Sequence, residues 1–170
     1  MIIVIIYVIG ILVLLLVICT IIIFFKYSKL KDIKSSLEMC TNSINEALEK
    51  KLKLINEILV DIKDEKIKES FNYDEEASLY EREDALFNIS FEINRFVKEG
   101  KNKKLKDKIK VLNELEENLD GLKDYYNANV LNYNEIFLKK YFHKFFQFLK
   151  FDSYKAFKIR KLEQYEIFKN

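Results

Sequence analysis

Residues 105–137 read LKDKIKVLNELEENLDGLKDYYNANVLNYNEIF, and this stretch decides the fold class. Its apolar residues fall at Leu105, Ile109, Leu112, Leu115, Leu119, Leu122, Tyr126, Val130, Tyr133 and Phe137. Every step is three or four, which gathers them on one face of a helix. Gly121 interrupts the pattern at a cost of about 1 kcal/mol relative to alanine. Either a close helix crossing offsets that cost or the helix bends there.

Upstream, the same spacing recurs at Leu30, Ile33, Leu37, Cys40, Ile44, Ala47, Leu48, Leu52, Ile55, Leu59 and Ile62. This predicts a helix running to about Lys66 with lysines and glutamates on its solvent face. Residues 68–74 carry the weakest helical signal and read as the first turn. Ala77, Tyr80, Leu86, Ile89, Ile93, Phe96 and Val97 define a further helix, which Gly100 is placed to close in the left-handed conformation. Three amphipathic stripes must bury against one another, so the breaks between them predict an antiparallel bundle within one chain. A trimeric coiled coil is the alternative, which leaves homo-oligomerisation open. The chain has 170 residues, no proline and only three glycines, so turn chemistry for a barrel, sandwich or doubly wound sheet is missing. Scattered glycines also exclude phosphate-cradling loops, and two cysteines with one histidine exclude a Cys/His zinc site. No cofactor or metal is expected.

Charge divides the chain. Residues 1–25 contain none, and all 29 basic and 27 acidic side chains follow. Ile2–Phe25 would form a rod of roughly 36 Å as a helix, enough to cross a bilayer core of about 30 Å. A cleaved signal would need a basic start and a small-residue site, and Ile18 before Cys19 spoils a lipoprotein box. An uncleaved transmembrane anchor over 1–25 is therefore expected. Lys26, Lys29, Lys31 and Lys34 follow it, so the positive-inside rule puts the N-terminus outside and residues 26–170 in the cytoplasm. Cys19 and Cys40 are then free thiols. The resulting fold class is all-α: an N-terminal transmembrane helix followed by an antiparallel three- or four-helix bundle.

The tail, 138–170 within that bundle domain, is basic and aromatic. From Ile136 on there are nine basic and three acidic residues, and eleven of Phe or Tyr. On a helical wheel Lys139, Lys140, His143, Lys144 and Gln147 share one arc. Leu138, Tyr141, Phe142, Phe145, Phe146, Phe148 and Leu149 fill the other. Lys139, Lys140, Lys144, Phe145 and Phe148 are the candidates for a partner or membrane face. A helix that leaves the membrane, a second that returns and a third that leaves again would put the tail far from lipid. That order favours packing on the bundle, with the basic edge free for a protein partner. Nucleic acid is not expected, because the net charge is only +2 and no base-reading fold is visible.

The stretch 112–157 resembles the LemA family of bacterial membrane proteins. The residues that carry this are Leu115-Glu116-Glu117-Asn118-Leu119, Tyr125-Tyr126-Asn127-Ala128-Asn129-Val130 and Tyr133-Asn134. Phe148-Leu149-Lys150-Phe151 is similar to the family's Leu-Phe-Gly-Phe, with Tyr154 and Phe157 as trailing aromatics. Leu48–Ile55 is similar to its upstream Leu-Lys-Arg-Arg-x-Asp-Leu-Ile. The family's prolines are Asn56 and Tyr141 here, its glycine is Lys150, and Asp120 and Leu122 replace alanines. The resemblance implies a four-helix bundle behind one anchor, with no established activity. The expected role is that of a non-enzymatic scaffold or adaptor for protein partners near the membrane; the rival is an accessory regulator of a membrane metallopeptidase in envelope stress.

Catalysis is not expected. His143 lacks a glutamate three residues before it and reads as a polar-face histidine. Glu116 with Glu117, and Asp61 with Asp64, read as solvated faces. Cys40 reads as a buried, inert thiol. Tyr126, Asn127, Tyr133 and Asn134 are the candidates for a groove or partner contact. The competing expectation packs the tyrosines in the core while the asparagines fix register or bond a neighbouring element.

Overall fold

The computed structural model describes residues 1–62, 64–99, 103–140 and 142–158. Gly100 and Tyr141, and the tail from position 159 on, lie outside the described residues. The described residues form five α-helices and no strand: α1 (Ile2–Asp61), α2 (Glu65–Ser70), α3 (Leu79–Glu99), α4 (Lys103–Phe137) and α5 (His143–Phe148).

α1 has 60 residues and passes without a break from the apolar segment into the amphipathic stripe. No proline interrupts it, and its single glycine, Gly10, lies in the apolar part. That part is long and apolar enough to cross a membrane by length and composition, and its window of lowest polarity is not buried by the protein. The sequence pattern carried the helix to Lys66, but it stops at Asp61. Asp64 instead accepts a hydrogen bond from the Lys66 amide at 2.9 Å and starts α2, because a side-chain acceptor there satisfies a free helix-end N–H. The 68–74 turn therefore begins within α2 and ends beyond it. α3 starts with a capping box. The Ser78 amide donates to Glu81 Oε2 at 3.0 Å, and the Glu81 amide donates to Ser78 Oγ at 3.4 Å.

The described chain divides into two compact units. One holds Met1–Glu38 with Asn129–Lys155; the other holds Met39–Ala128 with the described residues from Ala156 on.

In the second unit, side-chain bridges set the direction of each helix. Along α4, from Leu122 back to Lys108, the partners on α1 climb from Cys40 through Lys51 to Asp61. Those on α3 climb from Glu83, bonded to Lys123, to Asn94, bonded to Asn113. α4 is thus antiparallel to both, while α3 runs parallel to α1 rather than returning along it. The segment between α1 and α3 makes the return itself. It carries the chain from the level of Asp61 to that of Asn45, where Arg82 donates at 2.6 Å. The core contains Ile44, Leu48, Ile55, Ile58, Leu86, Ile93, Leu112 and Leu119, all essentially without solvent contact.

In the first unit, Leu30 and Leu37 of α1 are buried with Val130, Tyr133, Ile136 and Phe137 of α4 and with Phe146 and Phe151. The expected tail helix from Lys139 to Leu149 shrinks to α5. A turn intervenes, in which the Phe142 and His143 amides both donate to the Lys139 carbonyl. α5 ends in a Schellman motif: the Phe151 amide donates to the Phe146 carbonyl at 3.0 Å and the Lys150 amide to the Gln147 carbonyl at 2.9 Å. Lys150 takes the left-handed φ of 60° that the motif requires. Within this unit the tail begins near the end of the apolar part of α1. The ring of Phe151 meets Tyr27 edge-on at 5.7 Å. The expectation that the tail starts at the end of the bundle far from the apolar segment is overturned for that reason.

Candidate functional site

The paired Tyr-Asn steps of α4 hold the chain's own C-terminal segment. In the first unit Asn134 Nδ2 donates to the Tyr154 carbonyl at 2.9 Å, and the Tyr154 amide donates back to Asn134 Oδ1 at 3.2 Å. In the second unit Asn127 does the same with Phe157, at 2.9 and 2.7 Å. Each side-chain amide mimics a neighbouring backbone strand.

The tyrosines beside them are core residues. Tyr126 is buried, with its hydroxyl 3.3 Å from that of Tyr80, and Phe157 sits against both rings at 5.1 and 4.4 Å. Tyr133 is fully buried between Phe137 and Tyr154, and its hydroxyl makes no hydrogen bond among the described residues. Burial pushes that phenol far above its ordinary range, so it stays neutral. Tyr126 and Asn127 thus meet Phe157 in the second unit, and Tyr133 and Asn134 meet Tyr154 in the first.

A second constellation was not anticipated. Lys51, Glu83, Glu116 and Lys123 are each only 1–2% exposed, so Glu116 is not the solvated residue the sequence suggested. Lys51 pairs with Glu116. Lys123 bridges Glu83 at 3.0 Å and the half-buried Asp120 at 2.6 Å. Desolvation holds the Lys51 ammonium below its ordinary range even though Glu116 and Glu83 oppose that shift. Lys123 feels the same desolvation, but the bonds to Asp120 and Glu83 outweigh it and raise its value. The signal was present in sequence. Leu37, Ile44, Lys51 and Ile58 share one heptad position, as do Glu116, Lys123, Val130 and Phe137. Two lysines face three carboxylates, each of which is held in an ion pair, and no group among the described residues has the make-up of a metal site.

The remaining candidates lie outside both constellations. Lys139, Lys140, Lys144, Phe145 and Phe148 are exposed, and Lys139 lies 3.8 Å from Glu135. His143 packs edge-on against Phe137 at 4.8 Å. Cys40 donates its thiol to the Leu122 carbonyl at 3.4 Å, and burial pushes that thiol up, away from the reactive thiolate. An open cleft between Ser70, Asn72, Asn88 and Phe91 gathers a single titratable side chain, Glu92. No protein-family model, curated protein or solved structure matches the chain.

Proposed function

We propose that this chain is a single-pass membrane protein of the LemA kind. Its N-terminus lies outside, and its cytoplasmic helical domain acts as a scaffold or adaptor for protein partners rather than as a catalyst. The observation that carries this is α1. One unbroken helix has an apolar, uncovered first part and a second part whose stripe lies in the bundle core. Such a helix ties whatever the domain binds to the bilayer. The lysines after Phe25 support the orientation. The left-handed Lys150 supports the resemblance, since it occupies the position of the family's glycine and needs a glycine's backbone conformation. The buried ion pairs, and the asparagines bonded to the chain's own backbone, favour a structural role over chemistry, because neither leaves a free nucleophile or base.

The test is crosslinking in cells followed by identification of what is captured, with the membrane fraction as starting material. Specific protein partners crosslinked to the domain support the scaffold. A membrane metallopeptidase as the dominant partner would replace it with the regulator. A reporter fused after Asn170 that is active only outside the cytoplasm would reverse the orientation.

A further inference from the structure

The first unit carries an apolar surface that the described residues leave uncovered, and its position says what covers it. Phe151 is fixed to α5 by the Schellman turn and lies on Tyr27 of α1, with Lys34 Nζ 5.8 Å from its ring centre. Tyr27 is two residues past the end of the apolar segment. α5 therefore sits where α1 leaves its apolar stretch. Within α5, Phe146 is fully buried. At 100° per residue, Leu149, Phe145 and Phe148 follow it round one flank, with exposures of 38, 41 and 83%. Leu138, just before the turn, is 56% exposed. Large apolar side chains grouped in this way mark a binding surface.

The charge around the patch is one-sided. Lys139, Lys140, Lys144 and Lys150 are exposed beside it, and Lys29 and Lys31 are exposed on α1. The whole unit holds nine lysines against four carboxylates, Asp32, Glu38, Glu135 and Asp152.

We infer that Phe145, Phe148 and Leu149, rimmed by these lysines, dock onto anionic lipid headgroups at the surface of the bilayer that α1 enters. The inference rests on the reading of α1 as a membrane span and deepens it. Basic residues around exposed aromatics match an anionic interface, where rings settle at the boundary of headgroup and acyl chain. The anchor makes the contact intramolecular in effect, so a patch too small to bind lipid alone suffices. Two contacts with the bilayer, one through α1 and one through α5, would fix the rotation of the unit about the anchor.

The chain has no tryptophan, so one introduced indole reports on one place. Phe148→Trp and Leu14→Trp are prepared separately in the full chain. Each is reconstituted into nanodiscs of phosphatidylcholine with or without phosphatidylglycerol, using lipids brominated in their acyl chains. Quenching of Leu14→Trp establishes the span. Quenching of Phe148→Trp that is stronger with phosphatidylglycerol supports the docking. It should fall by more than about half when Lys139, Lys140 and Lys144 are all changed to glutamate in that background. If Leu14→Trp is quenched and Phe148→Trp is not, the docking is wrong and the span stands. A blue-shifted but unquenched Phe148→Trp means that protein, such as a second copy, covers the patch, which also overturns it. If Leu14→Trp itself is not quenched, both readings fall.

Discussion

One face of α4 is filled in two ways. At the same heptad position the second unit has Glu116 and Lys123, and the first has Val130 and Phe137; all four are buried. The charged half gains partners with defined geometry, at the expense of desolvating four ions. The apolar half gains area and ring contacts, at no such expense. Burial stabilises Val130 and Phe137 wherever they pack, whereas Glu116 is tolerable only opposite Lys51. The charged half therefore specifies which residues of α1 and α3 meet α4, and the apolar half contributes more simply to stability.

The largest effects should come from breaking that contrast. Glu116→Ala leaves the Lys51 ammonium buried and unpaired, and should destabilise by about 3–5 kcal/mol. Replacing the pair together, Lys51→Met with Glu116→Leu, should be neutral or stabilising by about 1–4 kcal/mol. Denaturant unfolding of the single and double variants checks both. A double variant as unstable as the single would mean that the pair contributes net stability. In the first unit Phe137→Ala should also cost about 3–5 kcal/mol, but no second substitution should rescue it. The two lysines also have opposite alkaline signatures. Lys51 is held below 10.5 in the fold, so the unfolded chain binds more protons between its folded value and 10.5, and its contribution rises with pH there. Lys123 is held above 10.5, so its contribution is present below 10.5 and is lost as pH rises through its folded value.

The asparagine ladder spans the same contrast at a smaller scale. Asn127→Leu strips two hydrogen bonds from the backbone of Phe157, and Asn134→Leu does the same at Tyr154. Each should cost about 1–3 kcal/mol, because a backbone N–H and carbonyl lose partners away from bulk water. Limited proteolysis should find the tail released in both variants. Release in only one would show that a single rung holds the segment.

The three long helices α1, α3 and α4 were legible because 3.6-residue periodicity survives along each of them. The charged core was not, because the lysines and glutamates of this chain are so numerous that Leu52 and Leu115 drew the stripe one residue away from Lys51 and Glu116. Burial of a charge depends on a partner from another helix, which periodicity does not contain. The direction of α3 was misjudged for a similar reason: the turn was read as short, whereas the whole stretch between α1 and α3 travels. The heptad spacing of Asn127 and Asn134 was visible, but Tyr154 and Phe157 read only as trailing aromatics, and a pattern of side chains does not show which backbone groups the asparagines will bond.

Lys150 offers a smaller effect confined to the first unit. Its left-handed backbone strains a side chain that glycine lacks. Lys150→Gly should stabilise by about 1 kcal/mol, read as an upward shift of the unfolding midpoint. An unchanged midpoint would show that the aliphatic stem of the lysine packs well enough to offset the strain.

Gly121 separates the two alternatives that the sequence left open, and it lies within the charged half. A Cβ built on it meets nothing within 4 Å, so no close helix crossing accounts for the glycine. The position is exposed and helical, between Asp120 and the Leu122 carbonyl that accepts the Cys40 thiol. Gly121→Ala should therefore stabilise the isolated chain by about 1 kcal/mol through helix propensity alone. The residues that surround it should respond no further, since the added methyl touches none of them. Destabilisation, or a loss of partner capture without loss of stability, would place a second surface against this side of α4, and the glycine would then be explained by what binds there.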